Sequence, residues 1–107
     1  MTYRLIVPPA VRDDLERIGR FVGDYAGPAV ALTKLDEIAA GVASLAEWPQ
    51  RGTLRPELGE GIRSWPASEK GVVVFRIDEA ARVVRILAIT YGGQDWHRIA
   101  RTRRGVA

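Results

Sequence analysis

The hydrophobic period of this sequence changes from strand-like to helical and then back to strand-like, and that order limits the folds open to it. From residue 11 to residue 45 apolar side chains return every three or four positions, whereas from residue 62 to residue 89 they form alternating or continuous β-branched runs. Helices and strands are therefore segregated along the chain. With no internal repeat or linker, 107 residues make one domain of ordinary size.

Thr2-Tyr3-Arg4-Leu5-Ile6-Val7 reads as a short strand stopped by Pro8-Pro9. Val11, Leu15, Ile18, Val22 and Tyr25 then stack on one helical face, with Asp13/Arg17 and Glu16/Arg20 as acid-before-base pairs on the other. Gly27-Pro28 breaks the chain. Pro28 suits the first position of a second helix, whose stripe is Leu32, Leu35, Ile38, Val42 and Leu45. Alanines at 29, 31, 39, 40, 43 and 46 allow close backbone approach, while Gly41 costs about 1 kcal/mol relative to alanine. Residues 49–61, rich in glycine and proline, describe an exposed connection rather than an element.

Strand chemistry follows at Ile62–Trp65, Val72–Ile77 and Arg82–Ile89, with a turn at Asp78-Glu79-Ala80-Ala81. The expected class is α+β: an N-terminal strand, a two-helix hairpin, then a three-stranded antiparallel meander, with the helices packed on one face of the sheet. Residues 1–96 would form the domain and residues 97–107 a basic C-terminal tail, which could continue as a helical turn. A composition of 47% hydrophobic and 27% charged residues suits a packed core. The lack of cysteine excludes disulfides, thiolate metal sites and a catalytic thiol. With no long apolar stretch and no signal peptide, no membrane partner is expected and the cytoplasm is the expected compartment.

The net charge of +3 is a property of the tail. Arg98, Arg101, Arg103 and Arg104 lie there with no acid, whereas the first 96 residues balance to −1. Such a tail meets phosphates or an acidic protein, or merely solvates the end of the chain. Catalytic devices are few. His97, the sole histidine, has no companion at metal-ligand spacing, so no metal and no cofactor are expected. Gly92-Gly93 lacks the spacing of a phosphate loop and reads as a turn. Asp95 suits a helix cap or an arginine partner better than a general base.

Arg63, Arg76 and Arg85 fall one on each meander strand. With the strands in register they would point to one side and converge, the minimum for holding a phosphodiester; alternation on an open sheet face gives the same pattern without chemistry. Among the tryptophans, Trp48 and Trp65 flank prolines and read as core edges, while Trp96 is the candidate for a partner contact.

Several segments arrive in an order that resembles a known superfamily. They are Tyr3-Arg4-Leu5, Ala10-Val11-Arg12-Asp13-Asp14-Leu15-Glu16-Arg17-Ile18, Leu45-Ala46-Glu47-Trp48-Pro49, and Arg55 to Ser64 with its G-I-R-S strand. Val74-Phe75-Arg76-Ile77 and the closing G-x-x-D-W of Gly92 to Trp96 complete the series. Over the whole domain the chain resembles the RelE/ParE toxins, and more the ParE branch.

The resemblance implies a type II toxin held inactive by a ParD-like antitoxin in a hetero-oligomer. It implies DNA gyrase as target, and no direct specific DNA binding by the toxin alone. RelE-like relatives instead cleave mRNA on the ribosome, and the residues here matching that role are Arg63, Arg76 and Tyr91. Where many relatives carry R-V-x-H-G-x-R-D, this chain has Ala88-Ile89-Thr90-Tyr91-Gly92-Gly93-Gln94-Asp95, without both arginines and the histidine. A phenol is a poor base at neutral pH with few cations about it. The expectation is thus a non-enzymatic, ParE-like toxin whose target surface comprises Tyr91, Gln94, Asp95, Trp96, Arg98 and Arg101. The alternatives are a ribosome-dependent endoribonuclease and a binding-only homologue acting in autoregulation with its antitoxin.

Overall fold

A computed structural model describes residues 2–103. The first strand, β1 (Arg4–Ile6), ends before Pro8, and α1 (Pro9–Ala26) starts on a proline with no side-chain cap. Val11, Ile18 and Val22 are buried as the helical spacing requires. Gly27, at φ 93°, turns the chain by a conformation open to glycine and donates its N–H to the Gly23 carbonyl. The second helix, α2 (Pro28–Ser44), departs from its expected stripe at one end. Leu32 is 64% exposed and Ala31 is buried in its place, because α1 and α2 meet there through small residues: a Cβ on Gly23 would lie 3.9 Å from that of Ala31.

Gly41 has a packing reason. A Cβ there would lie 2.4 Å from the Ala67 carbonyl oxygen, so glycine admits the connection between two later strands. Trp48 contradicts its expected place at a core edge, being 60% exposed beyond the end of α2, whereas Trp65 packs against the core.

The region expected to be only a connection holds a two-residue strand, β2 (Thr53–Leu54), paired antiparallel with β3 (Ile62–Pro66). Gly52 makes that pairing possible, since any Cβ would lie 2.1 Å from the Ser64 carbonyl oxygen. Next come β4 (Gly71–Asp78) and β5 (Val83–Tyr91). The strand order is β1-β5-β4-β3-β2, antiparallel except for β1, which runs parallel to β5. Arg82, at φ 53°, closes the β4–β5 turn, where Asp78 Oδ1 accepts the Ala81 N–H at 3.0 Å.

The helical hairpin covers one face of the sheet, as expected, around Phe75, Ile38, Ile86 and Leu45. The other face is not open. A third helix, α3 (Trp96–Arg103), packs there with Leu58 over Ile62, Val74, Leu87 and Ala88, with Ala100 fully buried. Strand β5 is buried along nearly its whole length, as in strands covered on both sides. The first residues of the basic tail are thus a packed helix; Arg104 lies outside the described residues. No helix among the described residues is long and apolar enough to cross a membrane.

Candidate functional site

The strand register decides what the basic residues can do together. Arg76 stands opposite Arg85, so those two share the α3 face. Arg63 stands opposite Phe75, a residue of the hairpin-side core, and so points to the other face. The expected convergence of three arginines therefore does not occur: side chains alternate along a strand, and Arg63 has the wrong parity. Its guanidinium instead donates to the Arg51 carbonyl at 3.3 Å.

Tyr91 also differs from its expected setting. It is only 5% exposed and belongs to the hairpin-side core, with its backbone N–H donated to Gln94 Oε1 at 3.1 Å. Burial first, and the hydroxyl of Tyr25 second, push its phenol above the ordinary value of 10.0. A buried neutral phenol of that kind is neither an exposed anchor nor a base at neutral pH. Beside it a cavity of about 400 Å³ lies between α1 and the Gly92-Gly93 turn, walled by Phe21, Ile18 and Tyr91.

The rest of the expected surface is assembled around the start of α3. Asp95 caps the helix, Oδ1 accepting the Arg98 N–H at 3.1 Å. Trp96 is half-buried in the second core; the His97 ring stacks on it at 3.7 Å and the Arg55 guanidinium lies 4.8 Å from its centroid. His97 Nε2 is 3.2 Å from Glu57 Oε2. A backbone hydrogen bond at Glu57, and more weakly His97, hold that exposed carboxyl below its ordinary range. Gln94, Asp95, Arg98 and Arg101 are exposed, whereas Tyr91 and Trp96 support them from beneath.

One charged group lies outside the expected surface. Asp14, 1% exposed on the inner face of α1, receives Arg103 on both oxygens at 2.6 and 3.0 Å, Arg17 at 3.2 Å, and the Ile89 backbone N–H at 3.0 Å. Arg103 also donates to the Leu87 carbonyl at 3.2 Å. The reason lies in strand length. Strand β1 pairs β5 only as far as Arg85, so the edge of β5 beyond it needs other partners, and Asp14, Arg103 and Gln94 supply them. The signal in the sequence was an acid at position 14 within the apolar face of α1; its partner, 89 residues away, carried none.

A helical hairpin and a short C-terminal helix on opposite faces of a five-stranded mixed sheet define a RelE/ParE-like toxin fold. The structure of the chromosomal ParDE TA system from P. aeruginosa superposes with a TM-score of 0.72 at 22% identity, covering 86% of this chain and 98% of that one. The toxin–antitoxin complex RelBE2 from Mycobacterium tuberculosis gives 0.61 at 26% identity, covering 86% of this chain and 100% of that one. A double arginine-to-alanine mutant of the E. coli toxin RelE in the free state gives 0.67 at 13% identity, covering 99% and 100%. No curated protein matches the sequence. Residues 5–96 match the ParE toxin of type II toxin–antitoxin system, parDE, and the chain belongs to that family.

Proposed function

We propose that this ParE-type toxin acts by binding protein rather than by cutting RNA, that its target is DNA gyrase, and that a ParD-like antitoxin neutralises it in a hetero-oligomer. The observation that carries this reading is the strand register, which turns Arg63 away from Arg76 while Tyr91 is buried as a neutral phenol. Phosphodiester chemistry needs cations and a base around one scissile bond. Arg98 and Arg101, displayed on α3 and oriented by the Asp95 cap, supply charge complementarity to the target, with Gln94 beside them. Trp96 holds that helix in place.

The antitoxin takes the opposite face. Phe21, Tyr25 and Leu32 are exposed on the hairpin, and an apolar cavity of about 240 Å³ opens between α1, α2 and the sheet, lined by Leu15, Ile38 and Val42 among others. An amphipathic segment would bury these side chains. The similarity to ParDE and RelBE2 structures supports such a pairing.

The test is a supercoiling assay with purified gyrase. The intact chain should inhibit, and Arg98→Glu/Arg101→Glu should lose roughly tenfold in potency, as expected when rim charges are reversed. Cleavage of ribosome-bound mRNA, abolished by Arg76→Ala, would support the endoribonuclease reading instead. A chain inert in both assays would support a binding-only role with the antitoxin.

A further inference from the structure

The far edge of the sheet from β5 is ended by β2, and its chemistry is unlike the rest of the surface. Arg51 lies 5.4 Å from the ring centroid of Trp48 and 4.7 Å from that of Trp65. The hydroxyl of Ser44 fixes the same guanidinium at 2.8 Å, and Arg63 is tied to the Arg51 carbonyl on the same face. On the opposite face of the edge Arg55 donates to Ser64 Oγ at 2.8 Å while lying over Trp96. Among the described residues, neither Arg51 nor Arg63 has a carboxylate within ion-pair distance. Arg51 and Arg63 are held by a hydroxyl, a carbonyl and indoles, which position them without cancelling their charge, whereas Arg55 already feels the Glu57 carboxylate.

The backbone between them is also open to a partner. The Arg55 N–H donates to the Ile62 carbonyl at 2.8 Å, so residue 55 makes a hydrogen-bonded pair with β3. By the alternation of an antiparallel ladder Leu54, opposite Arg63, directs its own N–H and C=O away from β3, to the outside of the sheet. The Leu54 side chain is 54% exposed, and Trp48 stands exposed nearby. An edge peptide flanked by apolar and cationic side chains is suited to strand addition.

We infer that the β2 edge docks an extended, acidic segment of a partner protein, added alongside Leu54, with its carboxylates on Arg51 and Arg63 on one face and Arg55 on the other. An extended chain sends successive side chains to opposite faces, which matches cations on both sides of the edge. A second copy of this chain is disfavoured, because two-fold pairing would set the arginines of one edge against those of the other. Nucleic acid is the weaker fit. Base stacking needs bare aromatic faces, and each indole here already carries a guanidinium, Trp96 an imidazole as well. The surface touches α3 through Arg55 on Trp96 and the end of α2 through Arg51 on Ser44, but it rests on Leu54, Arg51 and Arg63, none of which belongs to the proposed gyrase surface, so the inference stands or falls without gyrase.

The probe is a short fluorescein-labelled peptide of alternating glutamate and valine, titrated into the full chain and followed by anisotropy, with an oligouridylate as competitor and sedimentation to monitor self-association. Leu54→Pro removes the outward N–H without taking a bond from the β2–β3 ladder and should abolish binding. Arg51→Ala and Arg63→Gln should each weaken it by roughly tenfold. Arg12→Ala, which removes a charge elsewhere on the surface, should leave it unchanged. If Leu54→Pro fails to fold, the two arginine variants decide. Peptide binding indifferent to those variants, absence of peptide binding, oligouridylate binding more tightly through the same arginines, or self-association through this edge would each overturn the proposal.

Discussion

Asp14 shows how a single side chain substitutes for missing backbone pairing. It sits where α1 should be apolar, yet it is fully partnered: a bidentate arginine, a second arginine and a strand N–H converge on its two oxygens. Removing one member of such a buried pair strands the other. Asp14→Ala should lower unfolding free energy by about 3–5 kcal/mol, whereas Arg17→Ala, which removes a half-exposed partner, should cost less than about 1 kcal/mol; denaturant melts of the two variants measure the contrast. Tyr91 permits a second test at this scale. Its phenol is raised, so the stability it contributes as a neutral group is full below the ordinary value of 10.0 and is lost as pH rises through the higher folded value. Titration of tyrosinate absorbance should show a late component that Tyr91→Phe removes. The same variant should keep its toxicity, because the hydroxyl is not a catalytic base; loss of toxicity with the fold intact would contradict that.

The elements that periodicity exposes directly are the long ones. Helices α1 and α2 and strands β3 to β5 were legible because each buries a stripe or run that repeats at its own period. Three features were not. Strand β2 is two residues long and depends on a close approach at Gly52, which local sequence does not encode. Helix α3 hides its apolar contact in one alanine and half-buried Trp96 and Ile99 among arginines, so it read as a basic tail continuing as a helical turn and not as a packed helix. The parity of Arg63 against Arg76 depends on the β3–β4 register, which spacing alone leaves open. The site was accordingly legible in parts: Asp95 as a cap and the arginines of α3 on the surface, but not the burial of Tyr91. Gly41, whose helix propensity argues for alanine, gives a prediction at this scale. Gly41→Ala should destabilise by about 1–3 kcal/mol, since the Ala67 backbone must move; a thermal melt at or above the parent temperature would contradict that account. Truncation before Trp96 is a poor probe of function for a related reason, as it uncovers Leu58, Ile62 and Leu87 and takes Arg103 from Asp14.

At the scale of the molecule, the two faces of the sheet serve different surfaces. The hairpin face leaves apolar side chains exposed above an open groove, as a helical partner requires. The α3 face leaves arginines exposed on a helix fastened to the opposite face of the sheet by the Asp14–Arg103 pair across the β5 edge. The chain belongs to the ParE toxin family, and binding to a protein target is its proposed mode of harm. The direct measurement is the incorporation of labelled thymidine and labelled methionine in the minutes after this chain is induced alone in bacteria. A fall in thymidine incorporation while methionine incorporation continues is the predicted result; an immediate fall in methionine incorporation would contradict it and point to mRNA cleavage.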